Sequence, residues 1–389
     1  MEQSQKRKLF RDPLILILAG LIVLALVPIP FLVYRVLQSG SSGPGTVSTA
    51  LPTATPTMTS VPTATPVPIP TSTPTSTPTP TPTPTPLLSP FTGLPVDADA
   101  LQLPVIAVMI PSDSEQHGMS QASIVFEASA EYSIQRFMAV FEAVDTHKLG
   151  PIRSARPYYA QWACGYNAIY THWGGSPQAY GWLAANDCVY DLDGLSEEPP
   201  FWRAEVVDIS WNNGFTDSDS LYRYLVQHSL MSHREPIQGF QHKDDVSLET
   251  RPLTGTISIR GAFRFSVYYE YEPEENLYLR YYKGKPHLDL NTGEQHRVRN
   301  VVVIFVPEAP IPNDPKGRLE IQTTGEGEAL FFMDGALLPG RWVKETEQDE
   351  LHFFDEDDQE VAFNRGNIWI EVLALGQEDT LSYELGPPR

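Results

Sequence analysis

Two glutamates and three arginines lie close together around apolar, strand-like segments of the chain. Glu127 falls inside one apolar run, and Glu131 follows it four positions later. Burial of a carboxyl group raises its pKa, which suits a general acid. Arg136, Arg153 and Arg156 are near enough in the sequence to pair with either carboxylate. Two hypotheses stay open: a catalytic acid beside ligand-binding arginines, or a structural network of buried charges.

A histidine and two serines extend this candidate site. His172 with Ser176, or Ser154 between its arginines, could form a nucleophile and its base if they reach hydrogen-bonding distance. The Gly-x-Ser-x-Gly pattern of a nucleophile elbow is absent. Ser176 precedes Pro177, which is typical of a helix N-cap. We therefore predict ligand contacts, rather than a nucleophile, from these three side chains.

A later segment supplies the second-domain candidates His287 and Asp289. Together with His172 and the acidic run 355–358 they contain metal-ligating residue types. None of them has a ligand spacing like that of His-Glu-x-x-His. The sequence therefore predicts no metal and no cofactor.

Cys164 and Cys188 are the two cysteines of the chain. Outside the cytoplasm such a pair can oxidise to a disulfide. Two buried free thiols are the alternative. The sequence leaves both states open.

Apolar patterning predicts an α+β fold with a mixed α/β domain at 89–235, a linker at 236–254 and a smaller β-rich domain at 255–380. The linker is polar and without periodicity. Prolines at the first helical position indicate two helices, and a third is predicted from periodicity. The predicted elements of the first domain are strands at 103–110, 123–129, 134–142 and 167–173, and helices at 157–164, 177–185 and 218–228. Aromatic and β-branched runs predict strands through most of the second domain.

The charge-free run from Pro13 to Tyr34 is long enough to cross a hydrocarbon core of ~30 Å as a helix. Basic residues precede it and only Arg35 follows closely, so the positive-inside rule places the first residues in the cytoplasm. A cleaved signal peptide, the alternative, would have a shorter apolar core and a small-residue cleavage site. We predict a cytoplasmic N-terminus at 1–12 and a transmembrane helix at 13–36.

Threonine and proline dominate the segment that follows. It has almost no apolar side chain to bury, and alternating proline favours extended polyproline II. We predict a disordered stalk at 37–88 that holds the extracytoplasmic domains away from the membrane.

The chain has a formal net charge of −21, although its first residues are basic. An ectodomain this acidic is a poor partner for nucleic acid and for anionic membrane or wall polymers. The charge predicts a ligand that is neutral, cationic or bridged by a metal ion. The alternative is that the acidity serves solubility alone.

The chain resembles the YerB-like family of bacterial cell-envelope proteins, whose function is unknown. The matching segments are 89–95 (SPFTGLP), 120–127 (SQASIVFE), 150–157 (GPIRSARP), 172–179 (HWGGSPQA), 284–289 (GKPHLD), 300–303 (NVVV), 340–342 (GRW) and 365–370 (RGNIWI). The resemblance implies an α+β first domain, a β-rich second domain and a place at the outer face of the membrane. Family members are often lipoproteins, whereas this chain has the predicted helix. The family's usual two-glycine step is Tyr132–Ser133 here.

Peptidoglycan glycan is an abundant neutral polymer at that face, which leads to a functional hypothesis. Glu127 and Glu131 would be catalytic, as in a lytic-transglycosylase-like enzyme that needs a carboxylate acid. Tyrosines and tryptophans after Arg156 could stack on sugars or could be core. The second hypothesis is a non-catalytic scaffold or partner-binding module whose partner is an envelope protein and whose charges are structural.

Overall fold

The computed structural model describes residues 86–196, 199–205 and 212–387. The predicted cytoplasmic N-terminus, the transmembrane helix and most of the stalk lie outside these residues. Within the described ranges, no helix is long and apolar enough to cross a membrane. The described residues belong to one unit of the chain, Thr81–Arg389.

The protein is α+β and rich in strands. Its α-helices are α1 (Pro157–Cys164), α2 (Pro177–Ala185) and α3 (Ser218–Gln227). Its strands are β1 (Ile106–Pro111), β2 (Ile124–Ser129), β3 (Gln135–Phe141), β4 (Ile169–His172), β5 (Tyr190–Asp193), β6 (Trp202–Arg203), β7 (Gly214–Phe215), β8 (Gln241–Lys243), β9 (Gly255–Ile259), β10 (Val267–Glu272), β11 (Leu277–Tyr282), β12 (Lys285–Pro286), β13 (Leu288–Asp289), β14 (Glu294–Gln295), β15 (Arg297–Val298), β16 (Asn300–Val306), β17 (Glu308–Pro310), β18 (Leu319–Ile321), β19 (Gly325–Met333), β20 (Ala336–Lys344), β21 (His352–Asp355), β22 (Ala362–Asn364), β23 (Ile368–Ala374) and β24 (Leu381–Leu385).

Ten strands form one mixed sheet in the order β21-β20-β19-β16-β23-β2-β3-β1-β4-β5. Strands β1 to β5 come from the predicted first domain, and the other five come from the predicted second domain. The two groups join where β2 and β23 pair in parallel, with Ile124 opposite Ile368 and Glu127 opposite Glu371. Each group would otherwise present an unpaired strand edge. The two segments therefore share one sheet.

The central strands of this sheet are buried along their whole length, as β1, β2, β3, β16 and β23 show. Such continuous apolar strands suit a sheet that is covered on both faces. Side chains of α1 and α2 pack in the core on one face. Side chains of α3 and of a second sheet pack in the core on the other. That second sheet has the order β12-β11-β10-β9-β24, with β15 also paired to β11.

Helices α1 and α2 begin and end where the sequence predicts. Each has proline in its first turn, where the missing N–H costs no helical hydrogen bond. Ser176 caps α2, since its Oγ accepts a bond of 3.0 Å from the N–H of Ala179. Asp217 caps α3 in the same way, through the N–H of Ser220 at 2.7 Å.

The predicted linker contains an ordered strand. Strand β8 pairs in parallel with β22 of the C-terminal segment. Lys243 Nζ also donates hydrogen bonds to Asp334 and Asn364. The sequence gives no sign of this strand, because three polar residues are too short a run to show any periodicity.

Candidate functional site

Many of the predicted site residues surround one pocket of about 520 Å³, which we call the arginine pocket. It lies beyond the carboxyl ends of β1 and β4, the edge at which open α/β sheets commonly bind ligands. Its charged lining residues are Asp113, Glu131, Arg136, Arg153, Arg156, Lys316 and Arg318. The predicted ligand-binding residues Ser154 and Ser176 also line it, whereas His172 does not.

The segment before α1 positions the pocket's central side chains. The N–H of Arg153 donates to the carbonyl of Met109 at 2.8 Å, and its own carbonyl accepts from the N–H of Trp173 at 2.9 Å. Ser154 Oγ donates to the carbonyl of Trp173 at 3.1 Å. The segment is thus bonded to the ends of both β1 and β4, which fixes Arg153 and Ser154 at the sheet edge.

Glu131 is held between two buried arginines. Its Oε2 accepts a bond of 3.0 Å from Arg136 Nη2, and its Oε1 pairs with Arg156 Nη2. Burial alone would raise the pKa of Glu131, but the two guanidinium groups outweigh it and lower that pKa. Glu131 is therefore a carboxylate at neutral pH and has no proton to donate.

Two other cations of the pocket, Arg153 and Lys316, form no ion pair with a described residue, although Asp113 lies near Arg153. Within the described residues, no hydrogen bond or ion pair reaches the guanidinium of Arg153, which burial leaves with a lowered pKa. Lys316 lies exposed at the rim and likewise has no ion pair there. Arg318 pairs with Asp314 at 2.9 Å, and its buried Nε lies 3.9 Å from Glu131 Oε1 without a hydrogen bond. The Nε of Arg156 is also buried and unpartnered.

A tight turn brings an aromatic side chain to the rim. Tyr132 and Ser133, which follow Glu131, have φ angles of 56° and 57°, in the left-handed region that favours glycine. Tyr132 and Ser133 stand where the family usually has two glycines, and they adopt a backbone conformation that glycine adopts more readily. The Tyr132 hydroxyl donates to the carbonyl of Pro315 at 3.1 Å, and its side chain stays 64% exposed.

Glu127 lies in the core, away from the arginine pocket. It is 0% exposed and pairs with Arg280, whose Nη2 also lies 3.6 Å from Oε1 of Glu371. Tyr269 donates its hydroxyl to the same Glu371 oxygen at 2.5 Å. Burial raises the pKa of Glu127 well above its usual value, more than Arg280 lowers it. A raised pKa suits an acid, but Glu127 is paired with Arg280 in the core and has no solvent-exposed surface, so the geometry favours the structural hypothesis.

His172 lies behind the pocket and is fully buried. Its Nε2 lies 2.6 Å from Asp191 Oδ1, and its Nδ1 lies 2.9 Å from the carbonyl of Gly174. Ser176 accepts the cap bond of α2, and Ser154 bonds a backbone carbonyl. Among the described contacts none joins His172 to either serine, and its bond to the carbonyl of Gly174 connects it to the loop before α2.

The second-segment candidates connect the two segments. His287 is buried, with Nδ1 lying 2.5 Å from Arg280 Nη1 and Nε2 lying 2.9 Å from Gln116 Oε1. Asp289 accepts bonds from the N–H and Oγ of Ser120 at 2.8 and 2.7 Å. Neither residue lines the arginine pocket. In the part of the chain that the structure describes, no group of three or more His, Cys, Asp or Glu is placed to hold a metal ion.

Cys164 and Cys188 form a disulfide. It joins the end of α1 to the segment between α2 and β5. Of the two states that the sequence left open, the structure adopts the covalent one.

Four charged or aromatic lining residues were not among the predicted site residues: Asp113, Tyr132, Lys316 and Arg318. The last two lie in the loop between β17 and β18, far along the chain, where nothing local relates them to the other arginines. The aromatic side chains after Arg156 do not form one exposed row on which sugars could stack, because Tyr158 and Tyr159 are buried in the core. A polar turn flanked by strand signals could have indicated Tyr132.

Comparisons with known proteins agree with this fold. Residues 91–231 match the "Protein of unknown function (DUF3048) N-terminal domain", and residues 257–370 match its C-terminal domain. "Putative lipoprotein YerB" of Bacillus subtilis (strain 168) is 28% identical over 295 residues, which span 73% of this chain and 86% of that protein. The crystal structure of the Bacillus subtilis YerB protein matches with a TM-score of 0.67 and 25% identity, over 77% of this chain and 99% of that one. The chain belongs to the YerB-like family, with its paired DUF3048 N- and C-terminal domains.

Proposed function

We propose that this chain is a membrane-associated, extracytoplasmic protein that binds cell-wall glycan in the arginine pocket and does not cleave it. The name of the relative, a lipoprotein, supports the location. In this chain the predicted helix at 13–36 would be the anchor. The stalk at 37–88 would carry the folded part above the membrane surface.

The observation that carries the proposal is the guanidinium of Arg153, which lines the pocket and makes no hydrogen bond or ion pair with a described residue. A partly buried polar group without hydrogen bonds is unfavourable, and a ligand with acceptor oxygens would satisfy it. Sugars and their substituents are rich in such oxygens. Tyr132, exposed at the rim, offers an aromatic face on which a sugar ring can stack.

Binding is favoured over cleavage because neither predicted acid can donate a proton to a substrate. Glycosidic cleavage requires a protonated carboxyl group beside the leaving oxygen. Glu131 lines the pocket, but its two arginines lower its pKa. Glu127 has a raised pKa, but it is buried in the core.

A non-catalytic scaffold that binds an envelope protein is the second candidate. The buried cluster of Glu127, Arg280 and Glu371 favours it for those three residues, since their pairing holds the two family segments together. This candidate does not explain the arginine pocket. Its cations Arg153 and Lys316 form no ion pair among the described residues and so do not hold the two segments together.

Co-sedimentation of the full-length chain with purified peptidoglycan tests the proposal. We expect the wild type to sediment and Arg153→Ala to need at least ten times more polymer for half-saturation. Arg341→Ala is the matched control, because Arg341 lies on β20 and pairs at the surface with Glu326 and Asp358. Equal sedimentation of all three proteins would refute the pocket. Capture of an envelope protein, without sedimentation, would favour the scaffold.

A further inference from the structure

The charge of the arginine pocket opposes that of the whole chain. Five basic and two acidic residues line it, although the chain carries a formal net charge of −21. Charges beyond a Debye length of about 8 Å are largely screened at physiological ionic strength. A bound group therefore responds to these seven side chains more than to the distant acidic surface.

The ion pairs inside the pocket do not neutralise all of its positive charge. Glu131 is shared by Arg136 and Arg156, and Asp113 accepts a bond of 2.9 Å from the amide of Asn212. Burial and the nearby Arg156 lower the pKa of Arg136 to about 10, even though Glu131 opposes them. The arginines thus repel one another across the pocket, and an anion between them would relieve that repulsion.

Two further features present hydrogen-bond donors to an anion. The Nε atoms of Arg156 and Arg318 are buried and make no hydrogen bond among the described residues, although Arg318 Nε lies 3.9 Å from Glu131 Oε1, and Arg156 is only 7% exposed. Helix α2 begins at the pocket wall, where Gly175 and Ser176 are lining residues. A helix N-terminus carries partial positive charge and favours anions.

A phosphate group fits this arrangement better than a carboxylate. A phosphate monoester carries a charge of about −1.5 to −2 at pH 7 and three strong acceptor oxygens, whereas a carboxylate carries one charge and two oxygens. Planar guanidinium groups bind phosphate through paired hydrogen bonds. An anion with more than one charge would suit Arg153 and Lys316 together, since neither forms an ion pair among the described residues, although Asp113 lies near Arg153.

We propose that the arginine pocket recognises a phosphate group carried on a sugar of the envelope, with Arg153 as its principal ligand. This inference rests on the proposed function, because it takes the pocket to be the ligand site. It also replaces the expectation, drawn from net charge, of a neutral or cationic ligand.

Isothermal titration of the full-length chain with glucose 1-phosphate, inorganic phosphate and acetate tests the inference. We expect glucose 1-phosphate to bind more tightly than inorganic phosphate, and acetate not to bind. Arg153→Ala should weaken glucose 1-phosphate at least tenfold, Arg153→Lys should recover part of the loss, and Arg341→Ala should change nothing. Truncation of Arg153 orphans no hydrogen-bond partner, so an unchanged melting temperature is the expected check on folding.

The contrary outcomes separate the possible sources of the phosphate. Equal affinity for inorganic phosphate and for glucose 1-phosphate would show that the sugar is not recognised and would overturn that part of the inference. Arg153-dependent binding to vesicles of phosphatidylcholine and phosphatidic acid, with no binding of glucose 1-phosphate, would assign the pocket to a lipid headgroup instead. If peptidoglycan binding depends on Arg153 but no phosphate compound binds, this inference fails and the proposed function stands.

Discussion

Replacement of Arg280 by methionine should be the most damaging single change to the core. Arg280 is 0% exposed and lies between the two buried carboxyl groups of Glu127 and Glu371. Its Nε donates to the hydroxyl of Tyr269 at 3.0 Å, and its guanidinium carbon lies 4.3 Å from the ring centre of Trp369. Methionine has a similar length and keeps the packing, but it removes the only cation that these contacts give the two glutamates.

The expected loss is about 3–5 kcal/mol of unfolding free energy at pH 7, the usual cost of removing one partner of a buried ion pair. The loss should depend on pH. Burial raises the pKa of Glu127 in the folded state. A carboxyl group with a raised folded pKa contributes stability below its unfolded pKa and loses it as pH rises through the folded value. Without Arg280 that pKa rises further, so the variant should recover stability as the pH falls from 7 to 5.

Urea unfolding followed by tryptophan fluorescence measures this at both pH values. The double variant Glu127→Gln, Arg280→Met should regain part of the loss at pH 7, because one buried carboxylate is gone. Arg341→Met, at a surface pair, should change stability by less than about 1 kcal/mol. A loss below about 1 kcal/mol for Arg280→Met at pH 7, or an equal loss at both pH values, would refute the reasoning.

Three further predictions concern other elements. Reduction of the disulfide, which closes a sequence separation of 24, should lower the unfolding free energy by about 3 kcal/mol, and reductant should not affect a Cys164→Ser, Cys188→Ser variant. Ser176→Ala should cost about 1 kcal/mol through the lost cap of α2, and Ser176→Asp should restore it; equal urea midpoints for all three would contradict the cap. Burial and the nearby Arg280 lower the pKa of His296 to about 4, so this histidine should destabilise the fold as pH falls from about 6.5 to 4. His296→Gln should therefore flatten the pH dependence of unfolding in that window, and an unchanged slope would count against it.

Local sequence accounted for the elements whose signals are local. Pro157 and Pro177 each marked a helix start, and apolar runs that also carry charged residues marked the buried strands β2 and β3. The pair Asp334–Gly335 is typical of a hairpin turn, and both residues have the positive φ of a type I′ turn between β19 and β20. Each of these signals depends on a few adjacent residues, which is why the sequence reveals it.

The features that sequence analysis missed are long-range. Glu127 pairs with Arg280 at a separation of 153 residues, so a nearby arginine was the wrong partner to consider for it. The shared ten-stranded sheet depends on the pairing of β2 with β23, and no pattern in the sequence of either strand predicts that pairing. The part of the arginine pocket around Glu131 was identifiable because its charged residues are close together in the sequence. Lys316 is distant in the sequence and is brought to the pocket only by the tertiary fold.

The central claim is that the arginine pocket binds envelope glycan without cutting it. Its most direct test is a digest of purified peptidoglycan with the full-length chain, beside Arg153→Ala, Glu131→Gln and Glu127→Gln, read by mass spectrometry after the bound protein has been measured. We expect the wild type and Glu127→Gln to bind the polymer and Arg153→Ala to bind it at least tenfold more weakly. None of these proteins should release anhydro-muropeptides or new reducing ends. Products formed by the wild type and absent with Glu131→Gln would contradict it and identify that carboxylate as a catalytic acid.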